Sequence, residues 1–234
     1  MHRIIAFAIA TTACLLPFPA IGDDAWPRFR GPNGDAVVRE GDLPIAWERN
    51  SKRILWSVRI PGEGASSPIV AHGRIFVTSA EEDGLRRLVH AIDAATGHIV
   101  FTRTIDDPAP ELTSAVTGHA ASTPATDGDR VVAFFGNAGL VALDRDGEIL
   151  WRHRFGAFET ELGLASSPII DKGRVLVLCD HDGDRFSSFD SFLASFDLRT
   201  GDLLWRTERP RVFRSFSTPI LVASQGRDEL ITCA

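Results

Sequence analysis

One pattern of residues recurs three times along this chain and restricts its fold more than any other feature. Alternating apolar residues lead into an aspartate, a short turn that contains a glycine, and a second apolar run that ends in an aromatic residue. The aspartate side chain can accept hydrogen bonds from backbone N–H groups two residues on, and the glycine can take the positive φ that closes a tight turn. The pattern therefore predicts three β-hairpins. Their aspartate, glycine and aromatic positions are Asp93, Gly97 and Phe101, then Asp144, Gly147 and Trp151, then Asp197, Gly201 and Trp205.

A second signature, serine followed by serine or threonine and then proline, stands ahead of each hairpin and once more near the end of the chain. Its prolines are Pro68, Pro124, Pro168 and Pro219, which lie 56, 44 and 51 positions apart, so the repeat period is near fifty. Proline has no N–H for a strand ladder and is confined to strand starts and edge strands. Each repeat therefore begins on an edge strand. Four short strands per repeat are typical of a propeller blade, whose inner strand lines the axial channel.

Together, these two signatures resemble the PQQ-type (pyrroloquinoline-quinone-like) β-propeller repeat. That family includes quinoprotein dehydrogenases and the non-enzymatic outer-membrane assembly factor BamB. The resemblance covers residues 54–234, with Phe101 where the pattern has tryptophan and Asp146 where it has threonine. The expected fold is all-β, a partial PQQ-like propeller of four-stranded antiparallel blades, with three complete blades and part of a fourth. Residues 26–34 also resemble the opening of exported propeller proteins of this kind.

A series of aromatic residues falls at the end of each hairpin and once before the first hairpin. Trp56, Phe101, Trp151 and Trp205 lie 45, 50 and 54 positions apart. The resemblance implies that each of them lies on an outer strand and packs against the neighbouring blade. Truncating a buried Phe or Trp to Ala costs roughly 3–5 kcal/mol. We therefore interpret the series as packing between blades and not as a cofactor box.

The N-terminus carries the three parts of a secretory signal. A short basic start precedes residues 4–16, which are almost entirely apolar, and residues 20–22 offer a small-x-small cleavage site. The apolar run is shorter than the roughly 20 residues that a spanning helix needs. We therefore predict a signal peptide over residues 1–22, export across the inner membrane, and no transmembrane segment.

Within the signal, Cys14 lacks a recognised lipid-anchor motif, which argues against a lipoprotein.

The segment after this signal is predicted to be irregular. Residues 23–53 are rich in glycine, proline and charge and form an irregular lead-in. Trp26 within it predicts that the lead-in packs against the body of the protein.

The charge balance excludes one class of partner. The chain has 25 basic and 31 acidic residues and a formal net charge of −6, so it lacks the basic footprint of a nucleic-acid-binding protein.

Cys179 and Cys233 lie at different phases of their repeats. A disulfide between them is permitted outside the cytoplasm, but the sequence does not predict one.

The acidic run Asp180, Asp182 and Asp184 leaves two interpretations open. Alternate carboxylates near a glycine suit calcium, but a calcium site needs six to eight oxygen ligands and usually a distal bidentate glutamate, which this run lacks. A solvated hairpin loop is the favoured interpretation. His119 likewise either faces the channel mouth or binds a loop carbonyl. No catalytic, metal or cofactor-binding residue is otherwise predicted, because the histidines and cysteines show no zinc-ligand spacing.

The connections between strands are where we expect function. Residues 106–119, 156–164 and 180–184 form loops that are expected to gather at the rims of a propeller. We predict a non-catalytic scaffold that binds a protein partner, or another ligand, through these loops and the channel mouth. No cofactor is predicted for this function.

The alternative is a PQQ-dependent quinoprotein dehydrogenase, or a fragment of one. For such an enzyme the resemblance implies a quinone on the propeller axis, a calcium ion, a catalytic aspartate and, in many members, a disulfide between adjacent cysteines. The chain has no adjacent cysteines, and we can match none of its acids to the catalytic or calcium-binding positions of the family. PQQ with calcium is therefore expected only under this alternative.

The blade number stays open at the level of sequence. Propellers of this family close with more blades than this chain holds, and an open arc leaves strand edges bare. One interpretation is that the chain is the N-terminal part of a longer protein. The other is that it closes as a four-unit ring or by self-association through exposed blade edges.

Overall fold

The part of the chain that can be described covers most of the predicted repeats. The computed structural model describes residues 25–38, 41, 43–46, 48, 51–157, 160–182, 191–210 and 215–233. The predicted signal peptide, residues 1–22, and Asp184 lie outside the described residues. Within the described ranges, no helix has the length and apolar character needed to cross a bilayer.

The chain folds into three four-stranded antiparallel sheets and one two-stranded sheet, each built from consecutive strands. The first sheet contains β1 (Ile69–Ala71), β2 (Arg74–Glu81), β3 (Arg86–Asp93) and β4 (Ile99–Asp106). The second contains β5 (Ala125–Thr126), β6 (Arg130–Phe134), β7 (Leu140–Asp144) and β8 (Ile149–His153). The third contains β9 (Ile169–Asp171), β10 (Arg174–Cys179), β11 (Phe192–Asp197) and β12 (Leu203–Glu208), and the fourth contains β13 (Ile220–Ser224) and β14 (Arg227–Ile231). The predicted all-β fold, with three complete blades and part of a fourth, is confirmed.

The predicted hairpins join the third and fourth strands of each complete sheet. Asp93 Oδ1 accepts hydrogen bonds from the hydroxyl (2.7 Å) and the N–H (2.8 Å) of Thr96. Asp197 Oδ1 accepts the N–H (2.8 Å) and the hydroxyl (3.1 Å) of Thr200 in the same way. These hydrogen bonds stabilise the ionised carboxylates and lower the pKa of both aspartates. Gly97 takes a φ of +74°, the conformation that the turn requires.

Each hairpin carries one extra residue next to its aromatic residue. The strand pairing skips Val100 in the first hairpin, Leu150 in the second and Leu204 in the third, which makes each of them a β-bulge. These three side chains are 43–48 % exposed. A bulge increases the local twist and re-aims a neighbouring side chain. Here it turns the aromatic residue that follows toward the next sheet.

The aromatic ring of one unit packs against the glycine in the turn of the next unit. A Cβ added to Gly147 would lie 2.8 Å from the Phe101 ring, and one added to Gly201 would lie 2.8 Å from the Trp151 ring. Trp151 also donates its indole N–H to Leu198 O at 2.9 Å. Phenylalanine has no such donor, so Phe101 contributes ring packing alone.

Trp56 and Trp205 are the first and last members of this series. Trp56 lies outside any strand, packs against Gly97 and donates its indole N–H to Ala94 O at 2.9 Å. Trp205 lies on β12 and is half-buried. Among the described residues, the fourth sheet has no third and fourth strands whose turn would receive the Trp205 ring.

A chain of hydrogen bonds links the starts of the four inner strands. The N–H of Ser67 donates to Thr123 Oγ1 at 3.0 Å, and the N–H of Thr123 donates to Ser167 Oγ at 3.0 Å. The N–H of Ser167 continues the series by donating to Thr218 Oγ1 at 3.1 Å. The two middle members of this series, Thr123 and Ser167, each supply both a donor and an acceptor, whereas Ser67 donates and Thr218 accepts. The signature joins neighbouring sheets as well as opening each of them.

The core lies between neighbouring sheets. One cluster of buried side chains, which includes Phe76 and Val141, joins the first and second sheets. Another cluster, which includes Phe134 and Val177, joins the second and third. On the fourth sheet, Ile231 is 46 % exposed. A sheet is thus buried to the extent that a neighbour covers it.

Candidate functional site

The first candidate site lies where the inner strands converge. Residues 25–38, here called the N-terminal plug, lie against these strands. Trp26 and Val70 of β1 exchange two backbone hydrogen bonds, of 2.8 and 2.9 Å, and so form an antiparallel bridge. The N–H of Thr126 on β5 donates to Pro27 O at 2.8 Å. Two consecutive residues of the plug are thereby bound to two consecutive inner strands.

The same segment reaches the third and fourth sheets. The carboxylate of Asp171, at the end of β9, acts electrostatically on Arg28 and opposes the lowering of the Arg28 pKa that burial causes. A Cβ added to Gly34 would lie 3.6 Å from Ile220 Cγ2 on β13. The plug therefore spans all four inner strands, and it meets them in their order along the chain.

The plug is folded upon itself. The guanidinium of Arg28 donates from Nε to Gly31 O (3.2 Å) and from Nη2 to Pro32 O (2.8 Å). Gly31 has a φ of +78°, and a Cβ added there would lie 2.7 Å from the Trp26 ring. Backbone hydrogen bonds of 2.9 Å from Gly31 to Arg28 and from Ala36 to Arg30 close the loop. These contacts hold the segment in one shape.

A cavity of about 370 Å³ remains between the plug and the inner strands of the third and fourth sheets. It is lined by arginines of the plug and by apolar side chains, among them Arg28, Arg30, Ile169, Phe216 and Ile220. None of the described residues that line it is acidic. The cavity is therefore cationic and apolar in character.

The described lining of this cavity does not provide a calcium site. Calcium needs six to eight oxygen ligands, whereas the axial cavity presents guanidinium groups and apolar side chains. The plug forms one wall of this cavity. No group of three or more histidine, cysteine, aspartate or glutamate side chains that could hold a metal ion occurs among the described residues.

The second candidate site is at one rim and is anchored by a buried ion network. The Arg87 side chain is fully buried and donates from Nη2 to Glu111 Oε2 (2.9 Å) and Asp107 Oδ2 (3.3 Å). Its Nη1 donates to His119 O at 3.3 Å. Glu111 Oε2 also accepts the N–H of Asn137 at 3.0 Å. The loop 107–119 is thereby fixed at both of its ends and in its middle.

Above this network lies a rim cavity of about 600 Å³. Its lining includes four carboxylates and one imidazole, contributed by Glu63, Glu81, Glu82, Asp83 and His119. Burial and the nearby Arg87 guanidinium lower the pKa of His119, while Glu111 acts in the opposite direction. The imidazole is therefore neutral at pH 7, and the cavity carries net negative charge.

Two exposed aliphatic side chains belong to the loop 107–119, and one of them, Val116, lines this cavity. Leu112 is 74 % exposed and Val116 is 85 % exposed, although both belong to the anchored loop. His119 lies at this rim cavity, and its Nε2 is 3.5 Å from Thr113 Oγ1. The placement of His119 at the channel mouth stays a prediction. The bond to a loop carbonyl is absent among its described contacts, and its own carbonyl is the group bound by Arg87.

Two members of the acidic run, Asp180 and Asp182, are described, and they bind different partners. Asp180 accepts two hydrogen bonds from Arg209, at 2.9 Å from Nε and 3.3 Å from Nη2, and burial raises the pKa of Asp180. Asp182 Oδ2 accepts the N–H of Glu161 at 2.7 Å. Asp184 lies outside the described residues, so the calcium interpretation stays a prediction.

The two cysteines of the described chain are free thiols. Cys179 is buried on β10, with Sγ 3.5 Å from His181 Nε2, and burial raises the pKa of the thiol. Cys233 is exposed. Cys179 is therefore not positioned as a nucleophile, because a reactive cysteine needs a lowered pKa and access to solvent together.

Comparison with known proteins gives one family and several relatives. The sequence model of the family described as outer membrane protein assembly factor BamB matches residues 27–223. A curated relative, the outer membrane protein assembly factor BamB of Yersinia pestis, is 24 % identical over 162 residues, which are 67 % of this chain and 36 % of the relative. The chain thus spans about a third of the length of that relative.

Three solved structures are similar to this chain to different degrees. A europium-containing methanol dehydrogenase has a TM-score of 0.55 at 17 % identity, over 79 % of this chain and 32 % of that one. A quinohemoprotein alcohol dehydrogenase from Comamonas testosteroni has a TM-score of 0.47 at 23 % identity, over 63 % and 21 %. BamB from Moraxella catarrhalis has a TM-score of 0.38 at 15 % identity, over 66 % and 43 %. The first of these supports the fold alone.

Proposed function

This chain belongs to the family described as outer membrane protein assembly factor BamB, and from that premise we propose that it is an exported β-propeller module that binds a protein partner without catalysing a reaction. The partner docks at the rim formed by the loop 107–119 and the turn Glu82–Gly84. The signal-peptide pattern of residues 1–22 supports export.

One observation carries this proposal. The loop 107–119 exposes Leu112 and Val116 to solvent while the buried Arg87 network holds its backbone in place. A mobile loop loses conformational entropy when it binds, whereas an anchored loop has already lost it. Exposed apolar side chains on a fixed frame are therefore suited to recognition.

The charge of the rim defines the chemistry of the partner. Glu63, Glu81, Glu82 and Asp83 surround the rim cavity, although Arg86 is within ion-pair distance of Glu81 (2.9 Å) and Glu82 (3.7 Å). The remaining negative charge favours a segment with lysine or arginine next to apolar residues. Charge complementarity of this kind speeds association and selects partners.

Site-specific cross-linking in an exporting bacterium tests the proposal. A photoreactive amino acid at position 116 is expected to give one discrete cross-linked envelope protein, and the same group at position 204, which is also exposed (48 %) on the third sheet, is expected not to. Reversing the charge of Glu82 and Asp83 to lysine should reduce the cross-link at position 116. Equal cross-linking at positions 116 and 204 would contradict docking at this rim.

A quinoprotein dehydrogenase, or part of one, is the second candidate, and the fold likeness to a methanol dehydrogenase favours it. A protein of that class binds PQQ and oxidises alcohols or sugars in the presence of an artificial electron acceptor. Purified protein mixed with PQQ and calcium is expected to show neither quinone absorbance after gel filtration nor dye reduction. Dye-linked oxidation by the mixture, but not by PQQ alone, would establish the second candidate in place of the first.

A further inference from the structure

We propose that the inner strands form a binding site for a compact peptide of the sequence Trp-Pro-Arg-x-x-Gly, and that the chain's own N-terminal plug fills this site. The plug then takes the axial position as a permanent internal ligand. This inference does not rest on the proposed function at the rim, which cross-linking at position 116 tests separately.

The order of contacts is the first support. Trp26 bridges β1, Pro27 accepts from β5, Arg28 lines one cavity with Ile169 of β9, and Gly34 lies next to Ile220 of β13. A lead-in that merely covered the surface has no reason to meet four separate sheets in sequence order. The sequential contacts therefore indicate a site formed jointly by all four inner strands.

The nature of the contacts is the second support. The two hydrogen bonds between Trp26 and Val70 satisfy backbone groups at the open edge of β1, which otherwise lacks a neighbour in its sheet. Adding an extended residue to a free strand edge is a common mode of peptide recognition. Thr126 on β5 also donates to Pro27, the residue after Trp26. This bond fixes which residue of the plug lies against which inner strand.

The shape of the plug is the third support. Its turn depends on Gly31, which has a positive φ and lies against the Trp26 ring, and on the two carbonyl bonds of Arg28. A ligand that is ordered before it binds loses little further entropy on binding. This is the property expected of a segment that recognises a site when supplied separately.

The position of Arg28 adds a specificity element. Arg28 forms no ion pair with any described carboxylate, and Asp171, which acts on it, is already bound to Arg174 at 2.7 Å. The Arg28 guanidinium is therefore held mainly by carbonyls of the plug itself. We expect its replacement by lysine to weaken the plug, because lysine cannot reach both carbonyls in the same fixed geometry.

A cut chain tests the proposal with every residue present. A protease site inserted after Gly41 is cleaved in the folded protein, and gel filtration then separates bound from free fragments. The N-terminal fragment is expected to remain bound, and a fluorescent peptide of residues 25–41 is expected to exchange into its place. Release of the fragment on cleavage, with no change in melting temperature, would overturn the proposal.

Two glycine variants of the peptide give a matched comparison. Gly31→Val should compete at least about tenfold less well than the native peptide, a change that corresponds to about 1.4 kcal/mol. Gly41→Val is the control, since Gly41 also has a positive φ (+123°) but has no atom within 4 Å of an added Cβ. Equal competition by the two variants would show that the turn around Gly31 is not recognised.

Titration with PQQ examines the axial assignment by a separate readout. The intact chain, with its plug in place, is expected not to bind the quinone saturably. Saturable binding that leaves the hydrogen-exchange protection of the Val70 amide unchanged would show that the quinone and the plug occupy different places. That result would remove the claim that the plug takes the axial position.

Discussion

The junctions between complete sheets and the junction with the fourth sheet use the same sequence signatures with different results. At the complete junctions the aromatic ring is covered by the glycine turn of the next unit, as for Trp151 and Gly201. On β12 the equivalent residue, Trp205, has no such turn among the described residues. The difference shows that the hairpin signature specifies an interface, and that its contribution to stability depends on the neighbour.

The largest expected difference in stability is between a substitution in the first sheet and a substitution in the fourth. Arg87→Met removes the only described cation that the buried Asp107 and Glu111 contact. Leaving two buried carboxylates without it is expected to cost about 3–5 kcal/mol. Arg227→Met on β14 breaks only an exposed pair with Glu229, and the expected change is below about 1 kcal/mol.

Urea unfolding followed by circular dichroism measures both changes. Methionine keeps the unbranched stem of arginine, so each variant removes only the guanidinium group with its charge and its hydrogen bonds. If both variants lose similar stability, then the network under the rim loop contributes no more than a surface ion pair, and the anchoring of that loop must come from elsewhere.

The aromatic series gives the next comparison. Trp151→Ala removes a ring that packs on Gly201 and a hydrogen bond to Leu198 O, and the expected loss is about 3 kcal/mol. Trp205→Ala removes the same residue type from a half-buried position that no turn of a described sheet covers, and the expected loss is about 1 kcal/mol or less. Denaturant midpoints of the two variants provide the measurement. A larger loss for Trp205 than for Trp151 would contradict the role of the neighbouring turn.

A pair of glycines sharpens this comparison further. Gly201 and Gly226 have nearly equal φ values, +79° and +80°, but an added Cβ meets the Trp151 ring only at Gly201. Gly226→Ala is expected to cost about 1–2 kcal/mol from the left-handed backbone alone. Gly201→Ala adds a clash worth about 1–3 kcal/mol. Thermal melts of both variants test this, and equal losses would mean that the ring moves aside freely.

The smallest expected effect concerns two aspartates of the third and fourth sheets. Backbone and hydroxyl hydrogen bonds from Thr200 lower the pKa of Asp197, whereas an exposed ion pair with Lys172 lowers the pKa of Asp228. A carboxyl with a lowered pKa stabilises the fold above its unfolded pKa of about 3.9, and this contribution disappears as the pH falls through the folded pKa.

Salt distinguishes the two causes. At about 1 M salt, where the screening length is roughly 3 Å, the pKa of Asp228 should return toward its ordinary value, and the pKa of Asp197 should change little. NMR titration of the carboxyl carbons at low and high salt follows each group. A similar salt response at both positions would show that the turn aspartates are held by charge and not by hydrogen bonds.

The sequence predicts the fold because its decisive signals are local. The turn at Asp93 and Gly97 needs only residues that are close in the chain, and its repetition gives the number of sheets. Only the resemblance to a family predicts that Trp151 packs against the next sheet, because the ring contacts Gly201, which lies fifty positions later in the chain. The bulge at Leu150 that aims this ring has no recognisable signal of its own.

The candidate sites depend on contacts that no local pattern encodes. Trp26 was predicted to pack against the body, but its bridge to Val70 requires the inner edge of β1 to exist first. Arg87 stands in an ordinary strand pattern, and only the fold brings Glu111 to it. In the sequence, the second residue of each Ser-Ser/Thr-Pro signature stands out only by its position beside proline. Its role as a link between sheets is visible only in the folded protein, where the sheets are adjacent.

The hydrogen bonds that start at Ser67 all run in one direction, from each unit to the one that follows. At every junction, therefore, one unit supplies the N–H donor and the following unit supplies the hydroxyl acceptor. All of these junctions use the same arrangement. Duplication or loss of a whole unit in the gene leaves each remaining joint chemically intact. Proteins built in this way can change in length by entire units during evolution, without having to acquire a new kind of contact at the seam.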